Sequence, residues 1–221
     1  LRELTACEFV SVLATGYDVV DVDVAEELGI PVSNVPEYST ESVAEHAIAL
    51  LMEVTRHVGL HDRAVKDGAW SHVPDFTFWR RSLTDMHGKT MGIIGFGRIG
   101  QHVGRIASAF GMTVLASTDA SRPEVDYGPV EMTTNRDIFE RADVVSLHCP
   151  LTDENAEMVD AAALAAMKSS AYLINTARGE LVDEEALREA LDDQEIAGAA
   201  VDVASTEPID GARWRDVFDH V

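Results

Sequence analysis

Lysine is scarce in this chain: of 221 residues, only Lys66, Lys89 and Lys168 are lysines. Lys and Arg together number 17 against 39 acidic residues, a formal charge of −22. So few cations leave no basic face to displace counterions from a phosphate backbone, which counts against nucleic acid as a partner. An anionic membrane surface is disfavoured for the same reason. No apolar run approaches the roughly 18 residues of a membrane-crossing helix. No charged-then-apolar leader opens the sequence. Cysteine is scarcer still. Cys7 and Cys149 lack metal-ligand spacing and are too few for a disulfide framework, so a reduced, cytoplasmic setting and no metal site are expected.

The acid excess does not imply disorder, because 46% of residues are hydrophobic and they fall in patterned runs. The expectation is a folded protein with an acidic, lysine-poor coat. Such a coat resembles those of salt-adapted proteins, which stay hydrated in concentrated salt.

Short strands are expected over 8–13 and 30–32, around a helix over 23–28. A longer helix is expected over about 41–63, with Ala44, Ala47, Ile48, Leu51 and Met52 as its apolar stripe. Residues 66–85 are irregular and carry Trp70, Phe76, Phe78 and Trp79; a stretch of this kind is usually functional or an interface. From Lys89 onward strands (91–94, 113–116, 143–147, 171–175, 199–203) alternate with helices (99–110, 137–141, 161–167, 184–191). That alternation predicts an α/β fold with a parallel sheet covered on both faces.

Gly95-Phe96-Gly97-Arg98-Ile99-Gly100 forms a G-x-G-x-x-G between the first of these strands and its helix. Gly95 permits the tight turn, Gly97 lets backbone approach a pyrophosphate, and Gly100 lets helix and strand pack closely. The helix N-terminus offers free N–H groups and partial positive charge to phosphates. Dinucleotide binding is the expected role. An acidic residue about 20 positions on should hold the ribose hydroxyls of NAD. Asp119 stands near that place; Thr118 is the alternative occupant, with Arg122 nearby for a 2′-phosphate. NAD is favoured over NADP.

Further segments extend the pattern: 15–21 (Thr15-Gly16-Tyr17-Asp18-Val19-Val20-Asp21), 34–40, 88–100, 146–152, 174–179 and 200–203. Together and in this order they resemble the D-isomer-specific 2-hydroxyacid dehydrogenases across essentially the whole chain. Residues 15–21, 74–79 and 205–209 are most similar to the glycerate dehydrogenase (hydroxypyruvate reductase) branch. The resemblance implies a Rossmann-type doubly wound domain over 37–221, with a dimerisation arm at about 57–85. Residues 1–36 would then be a remnant of a second, flavodoxin-like substrate domain. It also implies hydride transfer between NAD(H) and a small D-2-hydroxyacid or 2-oxoacid, by a homodimer.

Arg178 suits binding of the substrate carboxylate and polarisation of its carbonyl, since its planar fork is always charged. Glu207 resembles the glutamate that orients a proton-donating histidine. Asp202 resembles the residue facing the nicotinamide carboxamide. His148, Cys149 and Pro150 resemble the loop on the adenosine side, so His148 is not expected to be the catalytic base. Thr176 and Ala177 would present backbone to the nicotinamide ribose. Arg98 and Ile99 belong to the phosphate-binding turn. The N–H groups of Thr15, Gly16 and Tyr17 would cradle the substrate carboxylate.

The family's catalytic histidine follows a proline at a position past residue 221, and its opening segment precedes the counterpart of Leu1. The chain is therefore expected to be truncated and to turn over little by itself; His220 reads as non-catalytic. Phosphoglycerate or D-lactate dehydrogenase activity is the alternative within the family, and an NAD-sensing scaffold the alternative outside catalysis. His57 and His61, with Glu53 a turn earlier, have metal-ligand spacing but read as a solvated or dimer-facing helix side. The aromatics of 70–79 read as a dimer contact more readily than as a substrate mouth.

Overall fold

The alternation from residue 90 onward is realised as one six-stranded, all-parallel sheet. The structure, a computed structural model, describes residues 1–119 and 124–209. Arg122 and His220 lie outside the described residues. Two compact units divide the chain, Leu1–Ser42 and Val43–Val221.

In the first unit, β1 (Val10–Ser11) and β2 (Val32–Ser33) pair in parallel around α1 (Val22–Glu27). Asp21 caps α1 by accepting the Val24 N–H at 3.0 Å. Ala25 and Ile30 are its buried apolar residues. The strands are shorter than the 8–13 and 30–32 read from hydrophobicity.

In the second unit the expected helix over 41–63 is two helices, α2 (Thr40–Arg56, its first turn in the first unit) and α3 (Val58–Lys66). His57 breaks them with a left-handed backbone, φ 51°. The break is stabilised because the Glu53 carboxylate accepts the Gly59 N–H, satisfying a first-turn donor of α3. A short 3-10 turn, Ala69–His72, follows within the irregular stretch.

The sheet comprises β3 (Thr90–Ile94), β4 (Thr113–Ser117), β5 (Val130–Met132), β6 (Val144–Leu147), β7 (Tyr172–Asn175) and β8 (Gly198–Val201). Its order is β5-β4-β3-β6-β7-β8. The chain winds one way from β3 to β5 and then returns to pair β6 with β3, so the topological switch lies between β3 and β6. Helices α4 (Arg98–Ala109), α5 (Asn135–Arg141), α6 (Ala161–Ala166) and α7 (Glu184–Asp192) connect the strands. Alternate strand residues divide between two cores. Leu115, Val145, Leu173 and Ala199 pack with α5, α6 and α7, whereas Val114, Val144, Ile174 and Ala200 pack with α2 and α4. This two-sided burial is why these strands read as continuous apolar runs.

Asp143 ties the N-terminal ends of the strands together. Its carboxylate accepts the Thr90 N–H at 2.8 Å and meets Lys168 at 3.0 Å and Lys89 at 4.0 Å. Desolvation pushes its pKa up, but the Thr90 N–H and the two ammonium groups outweigh burial and hold it below the ordinary carboxylate value. Among the described residues, no helix is long and apolar enough to cross a membrane.

Candidate cofactor and substrate site

At the switch point the chain leaves β3 through Gly95. Its φ is +94°, and a Cβ there would lie 2.3 Å from the Cys149 nitrogen. The Gly95 and Phe96 N–H groups both donate to the Ser117 carbonyl, at 3.0 and 3.1 Å, and the His148 N–H donates to the Ile94 carbonyl at 2.7 Å. The turn is thus clamped between the ends of β4 and β6. A Cβ on Gly100 would sit 2.3 Å from the Gly95 carbonyl oxygen, so α4 can start where it does only without a side chain there. Gly97 differs: it stands at the start of α4 with φ −78°, and a Cβ built on it meets nothing within 4 Å. Protein packing therefore requires glycine at 95 and 100, while Gly97 opens onto free space beside the first N–H groups of α4, including those of Arg98 and Ile99.

The neighbouring loop supplies the other wall. Ser146 Oγ and His148 Nε2 are 2.8 Å apart. Packing strips water from the His148 imidazole, which lowers its pKa to about 4 and keeps the ring neutral. The Cys149 thiol is pushed up by burial and further by the negative charge of Asp119, so that exposed carboxylate faces the 148–150 loop, which ends at Pro150. Thr118 is partly covered beside it.

After β7 the buried Asn175 knits the next loop: its Oδ1 accepts the Ala177 N–H at 3.0 Å and its Nδ2 donates to the Arg178 carbonyl at 2.8 Å. Thr176 Oγ1 is buried with no hydrogen-bond partner among the described residues. Arg178 is half-buried, and its guanidinium donates to the Ala177 carbonyl at 2.6 Å. A Cβ on Gly179 would lie 1.9 Å from the Ala204 carbonyl carbon, so this loop rests directly on the chain following β8. There Glu207 accepts the Ala204 N–H at 3.0 Å, and Glu184 accepts the Ser205 N–H at 2.6 Å. The Arg178 and Glu207 loops therefore meet through Gly179 and Ala204. Asp202, at the end of β8, is exposed, with its carboxylate 3.4 Å from His46 Nε2 on α2.

Thr15, Gly16 and Tyr17 belong to the first unit. Asn34 Nδ2 donates to the Thr15 carbonyl at 2.8 Å, and the Thr15 hydroxyl lies 3.0 Å from that of Ser39. Glu53 accepts from Gly59, while His61 Nδ1 lies 2.8 Å from the His57 carbonyl and His61 Nε2 accepts the Arg80 N–H at 3.1 Å. Three supporting residues escaped the sequence reading: Ser146 beside His148, Asn175 under the Arg178 loop, and His46 beside Asp202. Asn175 and Ser146 are buried polar residues in apolar strands, and that is a signal; nothing in the sequence links His46 to Asp202.

A parallel sheet with this strand order, carrying a glycine-rich turn at its switch point, defines a dinucleotide-binding α/β domain. Residues 48–219 match the family model described as D-isomer specific 2-hydroxyacid dehydrogenase, NAD binding domain. The chain belongs to that family. It is 46% identical over 203 residues to a hydroxypyruvate reductase of Blautia hydrogenotrophica, covering 92% of this chain and 63% of that one. It is 39% identical over 208 residues to a glycerate dehydrogenase of Methylorubrum extorquens, covering 94% and 64%. Among solved structures it is similar to D-lactate dehydrogenase of Aquifex aeolicus in complex with NAD and lactic acid, with 32% identity and a TM-score of 0.83 over 94% of this chain and 61% of that one. The chain thus spans less than two thirds of the length of these relatives.

Proposed function

We propose that the chain is the NAD(H)-binding part of a D-2-hydroxyacid dehydrogenase acting on D-glycerate/hydroxypyruvate or glyoxylate. The observation that carries this reading is the contrast among the three glycines. Two are required by protein contacts, while the third faces open space at a helix N-terminus, where a side chain would fill the cradle of a pyrophosphate. The buried, unpartnered Thr176 hydroxyl supports it, because a ribose hydroxyl would satisfy that oxygen. Gly95, Gly97, Arg98, Ile99 and Gly100 would hold the pyrophosphate, and Thr118, Asp119, His148, Cys149 and Pro150 the adenosine. Thr176, Ala177 and Asp202 would hold the nicotinamide riboside. Asp119, an exposed carboxylate, favours the unphosphorylated ribose of NAD over NADP.

Bound NAD(H) supplies or accepts the hydride at the carbon bearing the substrate oxygen. Arg178 binds the substrate carboxylate and polarises the adjacent carbonyl, as a half-buried, pre-held guanidinium does well. Glu207 orients the proton-donating imidazole. In this reading 1–36 belongs to the substrate domain and 37–221 to the cofactor domain, and the enzyme works in the cytoplasm. Copies pair through the arm at 57–85, where Phe76 is 86% and Trp79 68% exposed.

The test is NADH oxidation by a chain extended to its relatives' length. Hydroxypyruvate or glyoxylate should be reduced in preference to pyruvate. Arg178→Gln should lower kcat/KM by about 10²–10³-fold while leaving NADH affinity within about twofold. Unchanged turnover in Arg178→Gln, or none with any 2-oxoacid, would sink the reading; the latter outcome favours an NAD-sensing scaffold.

A further inference from the structure

Asp202 is held from two directions. Its N–H donates to the Asn175 carbonyl at 2.9 Å, and the Asn175 side chain in turn holds the Ala177 N–H and the Arg178 carbonyl. The main chain at 202 is therefore in register with the loop that carries Arg178, at the strand ends where ligands of open α/β sheets bind. The side chain has a different support. Asp202 Oδ1 lies 3.4 Å from His46 Nε2, and among the described residues no other Lys, Arg or His nitrogen stands within 4.0 Å of that carboxylate. Its second oxygen, Oδ2, has no hydrogen-bond partner among the described residues.

His46 reaches this place because of the way α2 packs. Ala44, Ala47, Ile48 and Leu51 bury one stripe of the helix in the core that also holds Ile174 of β7 and Ala200 of β8. Leu50 and Val54, one and two turns after His46, line a cavity together with β8 and Asp202. His46 extends that row by one turn toward the start of α2, which brings it to the end of β8. The two side chains are 47% and 55% exposed, and an exposed pair of this kind adds little to stability. What it changes is orientation. A carboxylate at a strand end turns about its side-chain bonds, and a donor on one oxygen removes that freedom. The imidazole offers this donor whether it is charged or is neutral with its proton on Nε2.

We propose that His46 is a positioning residue for the cofactor: by engaging Oδ1, it turns the free Oδ2 of Asp202 to accept from the carboxamide amino group of nicotinamide. The inference rests on the reading of Asp202 as a nicotinamide contact. A carboxamide presents two N–H donors and an ionised carboxylate only accepts, so the two match. Fixing the carboxamide fixes the plane of the ring, whose reacting carbon has to face a substrate held by Arg178. The link through Asn175 sets both groups on one frame. His46 stands apart from the glycine-rich turn and from the 148–150 loop, so its effect is confined to the nicotinamide half of the ligand.

The experiment is titration of the 221-residue chain with NADH and with ADP-ribose, which shares the adenosine, the pyrophosphate and the second ribose but lacks nicotinamide. The wild type should bind NADH more tightly than ADP-ribose. His46→Leu and His46→Ala should each weaken NADH by about three- to tenfold and leave ADP-ribose within about twofold. His46→Gln, whose amide can still donate to Oδ1, should restore NADH affinity to within about twofold of wild type. With Asp202→Ala already in place, His46→Leu should cost no further NADH affinity. A merely structural role would weaken both ligands together and lower the melting temperature. Equal loss of both ligands, unchanged NADH affinity in both apolar variants, or a His46→Leu effect that persists undiminished beside Asp202→Ala overturns the proposal. So does a wild type that binds the two ligands equally. The underlying reading fails differently: a wild type that binds neither ligand sinks the cofactor site as a whole and this inference with it, whereas a preference for NADH that ignores His46 sinks the inference alone.

Discussion

At the C-terminal ends of β3 and β6 the fixed groups are mostly backbone: Gly95, Phe96 and His148 N–H groups on carbonyls, and glycines pressed against main chain. In the arm over 57–85 they are side chains: a carboxylate on Gly59, an imidazole receiving the Arg80 N–H, and aromatic rings a few ångströms apart. At Gly95 and Gly100 the crevice tolerates almost no change of volume, whereas the arm holds its most exposed residues in the open. What a region has to bind accounts for the contrast. A pyrophosphate is met by N–H groups, whose direction the sheet and helix set; the arm instead presents side chains at the ends of flexible stems.

The largest effect that would break this comparison is at Gly95. Gly95→Ala should destabilise the chain by about 2–4 kcal/mol, from positive-φ strain plus overlap with Cys149 main chain, read as a lowered urea midpoint. A midpoint equal to wild type would mean the turn is not clamped as described. The second effect belongs to His148. Its folded pKa of about 4 lies below the unfolded value of about 6.5. The stabilisation from keeping the ring neutral is complete above about pH 6.5 and is lost as pH falls toward 4, by up to about 3 kcal/mol. His148→Asn should flatten that part of the pH–stability curve; an unchanged slope would contradict the desolvation argument.

A smaller loss, about 1–3 kcal/mol, is expected for Asp143→Asn at neutral pH, because Lys168 and the Thr90 N–H lose a charged acceptor. Since the Asp143 pKa is depressed, its contribution is full above the unfolded value of about 3.9 and disappears as pH falls below that. The smallest stability change is expected on the arm: Phe76→Ser should alter the midpoint by no more than about 0.5 kcal/mol, while reducing any self-association seen by sedimentation. Molar KCl should raise the melting temperature, by roughly 2–4 °C for each kcal/mol of self-repulsion relieved. A melting temperature that falls with KCl would show that the acid coat is no salt adaptation.

The same contrast explains what could be read in advance. Strands β3, β4, β6, β7 and β8 announce themselves because both faces are buried and the runs are mostly apolar. Strand β5, only Val130–Met132, follows a segment of Gly, Pro and acids and carries too few residues for any period. The break at His57 was hidden because Leu60 and Ala64 continue the apolar spacing of α2, while the interruption rests on one Glu53–Gly59 bond that periodicity cannot register. In the crevice, the glycine spacing and the Arg178 and Glu207 segments carried most of the proposed site. Their supports, Asn175, Ser146 and His46, depend on which strand ends lie side by side.

The central claim is that Gly97 is glycine for a ligand and not for the fold. Titrating NADH into the wild-type chain and into Gly97→Ala, with melting temperatures measured on both, tests it most directly. The wild type should bind one equivalent of NADH. Gly97→Ala should bind it about tenfold or more weaker, with stability unchanged to within about 0.5 kcal/mol. Equal NADH affinity in the two proteins, or a loss of affinity that merely tracks a loss of fold, would contradict it.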